Sequence, residues 1–573
     1  MTSRSRRRVP IDSLIFLALA GTVACAESGV TADLVLRGGK IVTVDDNLPE
    51  AQALAVKDDT IIAVGTDAEI DVYVGRCTEV IELEGRLAIP GFVESHAHFL
   101  GIGDAQLQLD LMDVQNWDEI VSMVEAVTGD APTGELIRGR GWHQEKWDRV
   151  PEGAVDGLPH HRSLSRVSPN NPVVLVHASG HASFANAKAM EMSGITRDTP
   201  DPPGGQIVRD AAGNPIGAFR ETAQGLLGPA SSGATPPDQR RRAELAIEEL
   251  LAKGITSFQD AGSSFSDVDV YKEMVDDGTL GVRLWVMIRA SNEELAVKLA
   301  DYRMVGYGGN RLTVRTIKRS IDGALGSHGA WLLAPYADLP SSSGLNTTTV
   351  ASVEETARLA MLHDYQLAVH AIGDRGNRET LDIYERVFAA HPDKTGLRWR
   401  IEHAQHLHPD DIPRFGQMGV IASMEAIHAT SDAPWVVPRL GERRAREGAY
   451  VWQSLLQSGA VVTNGTDAPV EDVDPIASFY ASVARRDKNG NAFYPDQRMS
   501  RMEALRSYTL SGAYAAFEED IKGSLTPGKL ADITVLSKDI MTIPEEEIPS
   551  TEVVYTIVGG KVMYSRTEEA NDR

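Results

Sequence analysis

From about residue 32 to residue 87 the chain alternates short apolar runs with turn residues. Runs at 32–37, 40–44, 53–56, 60–64 and 80–83 are separated by Gly38-Gly39, Asp45-Asp46-Asn47 and Asp58-Asp59. That is the pattern of short strands joined by tight turns. The far C-terminus has the same texture at 531–536 and 553–562. Neither piece is a fold by itself. Together, residues 30–88 and 521–566 predict one small β-sandwich built from both chain ends.

Between these pieces the period changes. Strand-like runs at 87–93, 255–259, 282–288, 312–318, 366–370, 397–403, 420–424 and 460–466 alternate with helical patterns, among them 240–253, 267–277, 353–363 and 378–390. Repeated strand–helix units predict parallel strands covered by helices, and eight of them in order predict a (β/α)8 TIM-like barrel. Its expected limits are 89–105 and 238–520. A ninth run, 172–176, falls in a stretch carrying Pro, Gly and Asp clusters and tryptophans that include Trp142 and Trp147. Residues 106–237 are therefore assigned to an insertion lying as a lid over the barrel mouth. The fold class is α/β: a barrel with a small β-sandwich.

A barrel brings the C-terminal ends of its strands to one face, where reactive groups gather. In this chain those ends carry His96 and His98 after the first strand, Lys318 at the fourth, His370 at the fifth, His403 at the sixth and Asp467 just past the eighth. His96 and His98 are two apart, and residues i and i+2 of a strand project to the same side. Taken singly, each has an ordinary alternative. His370 and His403 could be buried histidines bonded to a carbonyl, Asp467 a turn or helix-capping residue, and Lys318 the partner of Asp322. Their recurrence at strand ends of one barrel favours a metal centre. Two neutral imidazoles and a carboxylate suit zinc or a similar cation, and two more imidazoles with a bridging anion would complete a second site.

Composition narrows the partners. The chain has 573 residues, 42% hydrophobic and 24% charged, with a formal net charge of −25. Those are the proportions of an ordinary globular protein. The negative charge argues against nucleic acid or an anionic membrane surface as a partner and leaves a small-molecule substrate. Arg4, Arg6, Arg7 and Arg8 precede an apolar stretch at 14–23, which reads as an export signal occupying 1–26. Cleavage after Ala26 and lipidation at Cys25 compete as processing routes. The expected location is thus the periplasm, with or without a lipid anchor, and a homodimer stands among the assembly states left open. Cys25 and Cys77 are too few for a disulfide framework.

Gly91-Phe-Val-Glu-Ser-His96-Ala-His98 resembles the metal-binding strand of the amidohydrolase superfamily, and Gly523-Ser-Leu-Thr-Pro-Gly-Lys-Leu-Ala-Asp532 is similar to its C-terminal segment. Gly139-Arg-Gly-Trp142, Gly180-His181-Ala, Ile321-Asp322-Gly-Ala-Leu-Gly-Ser327, His370-Ala-Ile-Gly-Asp374-Arg375, Arg400-Ile-Glu-His403-Ala-Gln and Thr463-Asn-Gly-Thr-Asp467-Ala-Pro resemble its amidohydrolase-3 branch, which includes N-substituted formamide deformylase. The resemblance implies one or two divalent ions, zinc by expectation. His96, His98 and Asp467 would hold one, His370 and His403 the other, with a carboxylated Lys318 between them. It further implies hydrolysis of a non-peptide amide or formamide C–N bond, with Asp467 as general base and His403 or a metal stabilising the oxyanion. Trp142, His181 and His328 are the expected substrate contacts. His328 and Glu425 depart from the branch's usual Arg and Gln, which bears on substrate choice. A lactonase or phosphotriesterase on the same barrel, and an exported non-catalytic metal-binding protein, are the alternatives. A Ser–His–Asp hydrolase is disfavoured, since no Gly-x-Ser-x-Gly elbow is present.

Overall fold

The apolar runs become strands buried on both faces, as a parallel sheet covered by helices requires. β1 (Phe92–Ala97), β2 (Ile255–Ser263), β3 (Arg283–Ile288), β4 (Leu312–Ser320), β5 (Gln366–Ala371), β6 (Arg400–His403), β7 (Ile421–Met424) and β8 (Val462–Asn464) pair side by side in chain order. Every one of these pairings is parallel. The computed structural model describes residues 30–231 and 238–566. The expected export signal and Cys25 lie outside the described residues. Among the described residues no helix is long and apolar enough to cross a membrane.

β8 and β1 close the circle by backbone bonds around their C-terminal ends rather than by a ladder. The Asp467 N–H donates to the His96 carbonyl at 2.7 Å, and the His98 N–H donates to the Ala468 carbonyl at 2.8 Å. The helices outside follow their apolar spacing. Val350–Leu362 buries Val353, Ala357, Ala360 and Met361, and Phe265–Asp276 is started by a Ser264–Asp267 capping box.

One sequence expectation changes. The run 87–93 is not a single barrel strand. Leu87–Pro90 belongs to the sandwich, where it pairs with Lys40–Val42 and Ile533–Leu536. The chain enters the barrel only at Phe92. Gly91 is the junction: its N–H donates to the Asp532 carbonyl at 2.9 Å, and a Cβ there would collide with the Thr256 side chain. The sandwich has a four-stranded and a six-stranded sheet, packed through Leu36, Ile41, Leu54, Ala88, Ile533 and Val535. Arg283 on β3 is bonded to both carboxylate oxygens of Asp532, at 2.7 and 3.0 Å, and so ties barrel to sandwich.

The stretch between β1 and β2 folds as a six-stranded sheet with its own core around Trp117, Trp142 and Phe184. Its strand Ile137–Trp142 alternates: Ile137, Gly139 and Gly141 are buried, whereas Arg138 and Arg140 face the other way. On the parallel neighbour Val173–His177, Val174 and Val176 stand in register beside those arginines. This second face looks onto the barrel mouth.

Just past β6, His406 is buried, its N–H donating to the Ile372 carbonyl at 3.0 Å. Burial pushes its pKa down from 6.5 to about 3. Below pH 6.5 the unfolded chain therefore takes up a proton that the folded chain refuses, so stability falls as the pH falls. This group alone is expected to lower stability by about 2 kcal/mol between about pH 7 and pH 5. Denaturant unfolding of wild type and His406→Gln at the two pH values checks it: the variant should lose less stability on acidification, by about that amount.

Candidate metal centre

The closing bonds between β8 and β1 set three polar side chains together. His98 Nε2 lies 3.0 Å from Asp467 Oδ1, and His96 Nε2 lies 3.7 Å from the same oxygen. Lys318, projecting inward from β4, brings Nζ to 3.2 Å from His96 Nε2. On the next two strands the rings of His370 and His403 are 4.4 Å apart, and the His403 ring is 4.8 Å from that of His96. All six residues line a single cavity of about 650 Å³ between barrel and insertion. Two of them, His403 (φ 73°) and Asp467 (φ 56°), occupy the left-handed region. Non-glycine residues adopt it at some cost and do so disproportionately at functional sites.

Carboxylates behind the imidazoles fix their orientation. His96 Nδ1 is bonded to Glu402, and His403 Nδ1 to Glu425 at 2.7 Å. Each contact turns the opposite nitrogen, Nε2, toward the cavity. Beneath them lies a fully buried polar layer in which Arg400 contacts Gln259, Glu402, the Ser95 carbonyl and the Ser423 hydroxyl. Burial opposes the charge on Glu402, but Arg400 and His96 hold its carboxyl below the usual range. At Glu425 burial, then Asp467 and Glu402, push the carboxyl well up, and the Lys318 charge only partly opposes them.

His96, His370 and His403 are neutral. Burial, followed by the Lys318 charge, lowers His96 to about 4. Burial also takes His370 and His403 well below 6.5. Burial lowers the Lys318 amine to about 8, so part of it is uncharged near neutral pH. Asp467 stays ionised, because its histidine neighbours, His98 foremost, outweigh burial.

This donor set fits a divalent cation. The ligand atoms of His96, His98 and Asp467 lie within 4.8 Å of one another. His370 Nε2 is buried without a hydrogen-bond partner, an arrangement that costs free energy unless something else binds there. Neutral nitrogen and carboxylate oxygen are the donors such ions take.

Of the expected substrate contacts, His181 reaches the cavity. Its Nδ1 bonds Glu221 at 2.7 Å, and its ring is 4.9 Å from that of His370. Burial lowers its proton affinity, and Glu221 more than restores it. Trp142 and His328 do not line the cavity. Trp142 packs into the insertion core, its Nε1 donating to the Leu175 carbonyl at 2.9 Å. His328 packs on Tyr336 and is held by Asp338. Glu402, and Arg289 on the cavity wall, had no assignment from sequence. Glu402 had one available signal, a charge at a barrel-interior position of a strand beside a candidate ligand.

A model of the amidohydrolase family matches residues 79–564. Protein LONG AFTER FAR-RED 3 of Arabidopsis thaliana is 34% identical, over 94% of this chain and 92% of its own. N-substituted formamide deformylase of Arthrobacter pascens is 28% identical, over 93% of this chain and 99% of its own. The crystal structure of an uncharacterized metal-dependent hydrolase from Pyrococcus horikoshii superposes with a TM-score of 0.71 at 26% identity, over 90% of this chain and 99% of that one.

Because Glu402 sets the direction of the His96 ring, Glu402→Gln is expected to weaken metal binding about 10–100-fold. Competition with a chromophoric chelator measures this, with circular dichroism as the check that the fold is kept.

Proposed function

Because the chain belongs to the amidohydrolase family, a family of metal-dependent hydrolases, we propose that it cleaves the C–N bond of a substituted amide or formamide, with Asp467 moving the proton. The observation that carries this reading is the position of Asp467. Its Oδ1 is buried on the cavity wall, 3.0 Å from His98 Nε2 and 3.7 Å from His96 Nε2.

One or two zinc ions, held by His96, His98 and Asp467 and by His370 and His403, would supply Lewis acidity toward the carbonyl oxygen and toward water. Lys318 is proposed as the bridging ligand in its carboxylated form. A buried amine lowered to about 8 is partly neutral and so able to take up CO₂, which an ammonium cannot do.

The chain's own groups account for the proton movements. Asp467 accepts a proton from the attacking water and returns it to the nitrogen, which must leave as a neutral amine. Water is thus divided across the bond: hydroxyl to the acyl carbon, giving a carboxylic acid or formate, and hydrogen to the amine. The role of His403 follows Glu425. With Glu425 ionised, His403 Nδ1 donates to it and Nε2 offers a lone pair. With Glu425 protonated, the tautomer reverses and Nε2–H can donate to the developing oxyanion. The insertion covers the mouth and limits water around the reacting bond.

Export, with cleavage after Ala26 or a lipid on Cys25, belongs to this proposal on sequence grounds.

Asp467→Asn is expected to lower kcat on N-alkylformamides by about 10²–10⁴-fold. Steady-state assay of the metal-loaded proteins checks it. A variant within threefold of wild type would remove Asp467 from the mechanism.

A further inference from the structure

The cavity has a cationic wall that hydrolysis of a neutral amide does not use. Arg289 follows the end of β3, and Arg138 and Arg140 stand on the inward face of the insertion sheet; all three line the cavity. Among the described residues none of the three is ion-paired with a carboxylate. Arg140 is tied to the Pro469 and Ala178 carbonyls, each at 3.1 Å. Arg289 has one weak side-chain bond, to the Ser320 hydroxyl at 3.4 Å.

Asp467, the proposed metal ligand and base, faces the same cavity; the other carboxylates on this wall are already engaged. Asp104 pairs with Arg242, Glu221 with His181, and Asp322 accepts three backbone N–H groups at 2.8–3.0 Å. Arg289 is solvent-exposed within the cavity, and its charge is felt at Lys318 and His181. A guanidinium kept unpaired in a confined site has its full fork of donors available to an incoming carboxylate. On a chain of net charge −25, a local cationic patch also offsets the field that would repel an anion.

Two further features define the rest of the ligand. Val174 and Val176 stand in register beside Arg138 and Arg140, so an apolar strip adjoins the cationic one. A second, narrow cavity of about 50 Å³, lined by Leu325 and Trp435 together with polar groups such as His428 and Asp432, meets the first at His181, His403 and Asp467. A scissile group placed where the two cavities meet would have room in the narrow one for a small acyl group only.

We propose that the preferred substrates are formyl or short-acyl amides whose amine half carries a carboxylate, held by Arg289 and Arg138, beside an apolar group lying on Val174 and Val176. N-formyl amino acids with apolar side chains have this chemistry. The inference rests on the hydrolase reading above and adds the substrate class.

The test compares N-formylleucine with N-(3-methylbutyl)formamide, the same skeleton without the carboxylate, on the metal-loaded full-length protein. The expected result is a kcat/KM at least tenfold higher for the anion, chiefly through KM. Arg289→Gln and, separately, Arg138→Gln should each lower that ratio several-fold, while Arg289→Lys keeps part of it. Binding of the corresponding methanesulfonamides, which are not hydrolysed, is read in parallel by calorimetry, with the same order and the same loss in Arg289→Gln expected. A neutral formamide used as well as the anion, or a ratio that neither Gln variant changes, overturns the proposal. If neither formamide is turned over, the hydrolase reading fails, and calorimetry still decides the carboxylate site. Tighter binding of the anionic sulfonamide that is lost in Arg289→Gln supports it, and equal binding overturns it.

Discussion

The site depends on how the barrel closes. The bonds that join β8 to β1 run through the backbones of His96, His98 and Asp467, so the same contacts that complete the fold set the distances among three candidate ligands. Closure is tight. A Cβ on Gly465 would stand 2.7 Å from the His96 nitrogen, so any side chain there would push the two strands apart. Buried Glu94 spans the seam, accepting the Thr466 N–H at 2.8 Å and the His96 N–H at 3.3 Å. Asp467 is held in its left-handed conformation by this framework. Strain of that kind persists only where surrounding bonds over-determine it.

Below the seam, the barrel interior carries a charged layer where packed aliphatic side chains are usual. Arg400 and Glu402 are fully buried, and burying an ion costs several kcal/mol unless its partners are complete. Here they are nearly complete, with Gln259, Ser95 and Ser423 filling out the Arg400 fork. The consequence reaches the cavity. A well-anchored Glu402 keeps His96 in one orientation, and burial keeps His96, His370 and His403 neutral, the state in which they bind metal. The insertion supplies the opposite wall. Its alternation of Arg with Gly on one strand turns every second side chain toward the site, so fold and substrate contact are separated onto the two faces of one sheet.

Much of this was legible in the residues. The change from turn-punctuated short runs to strand–helix units marked the sandwich and the barrel, and His-x-His at a strand end marked the seam. Periodicity failed at residues 87–93, because an apolar run does not say where the chain leaves one sheet and enters another; Gly91 does so through a close approach visible only in three dimensions. Trp142 sits beside cavity-lining arginines in sequence, yet the strand turns it into the core. His328 is near Ser327 and Gly326 in the chain, but its loop packs it on Tyr336. Glu402 was hidden by its neighbour: adjacent strand residues face opposite ways in an ideal strand, and the positive φ of His403 lets both serve the same site. Arg289 carries no motif at all, and its meaning comes from the absence of a partner across the cavity.

The central claim is that the clustered donors hold a metal on which hydrolysis depends. The most direct measurement is metal analysis and formamide turnover on the same wild-type preparation, before chelation, after it, and during stepwise reloading. The account predicts about one to two ions per chain, turnover lost with the metal, and recovery in proportion to the metal restored. A protein that takes up no metal on reconstitution, or one whose turnover survives complete chelation, would contradict it.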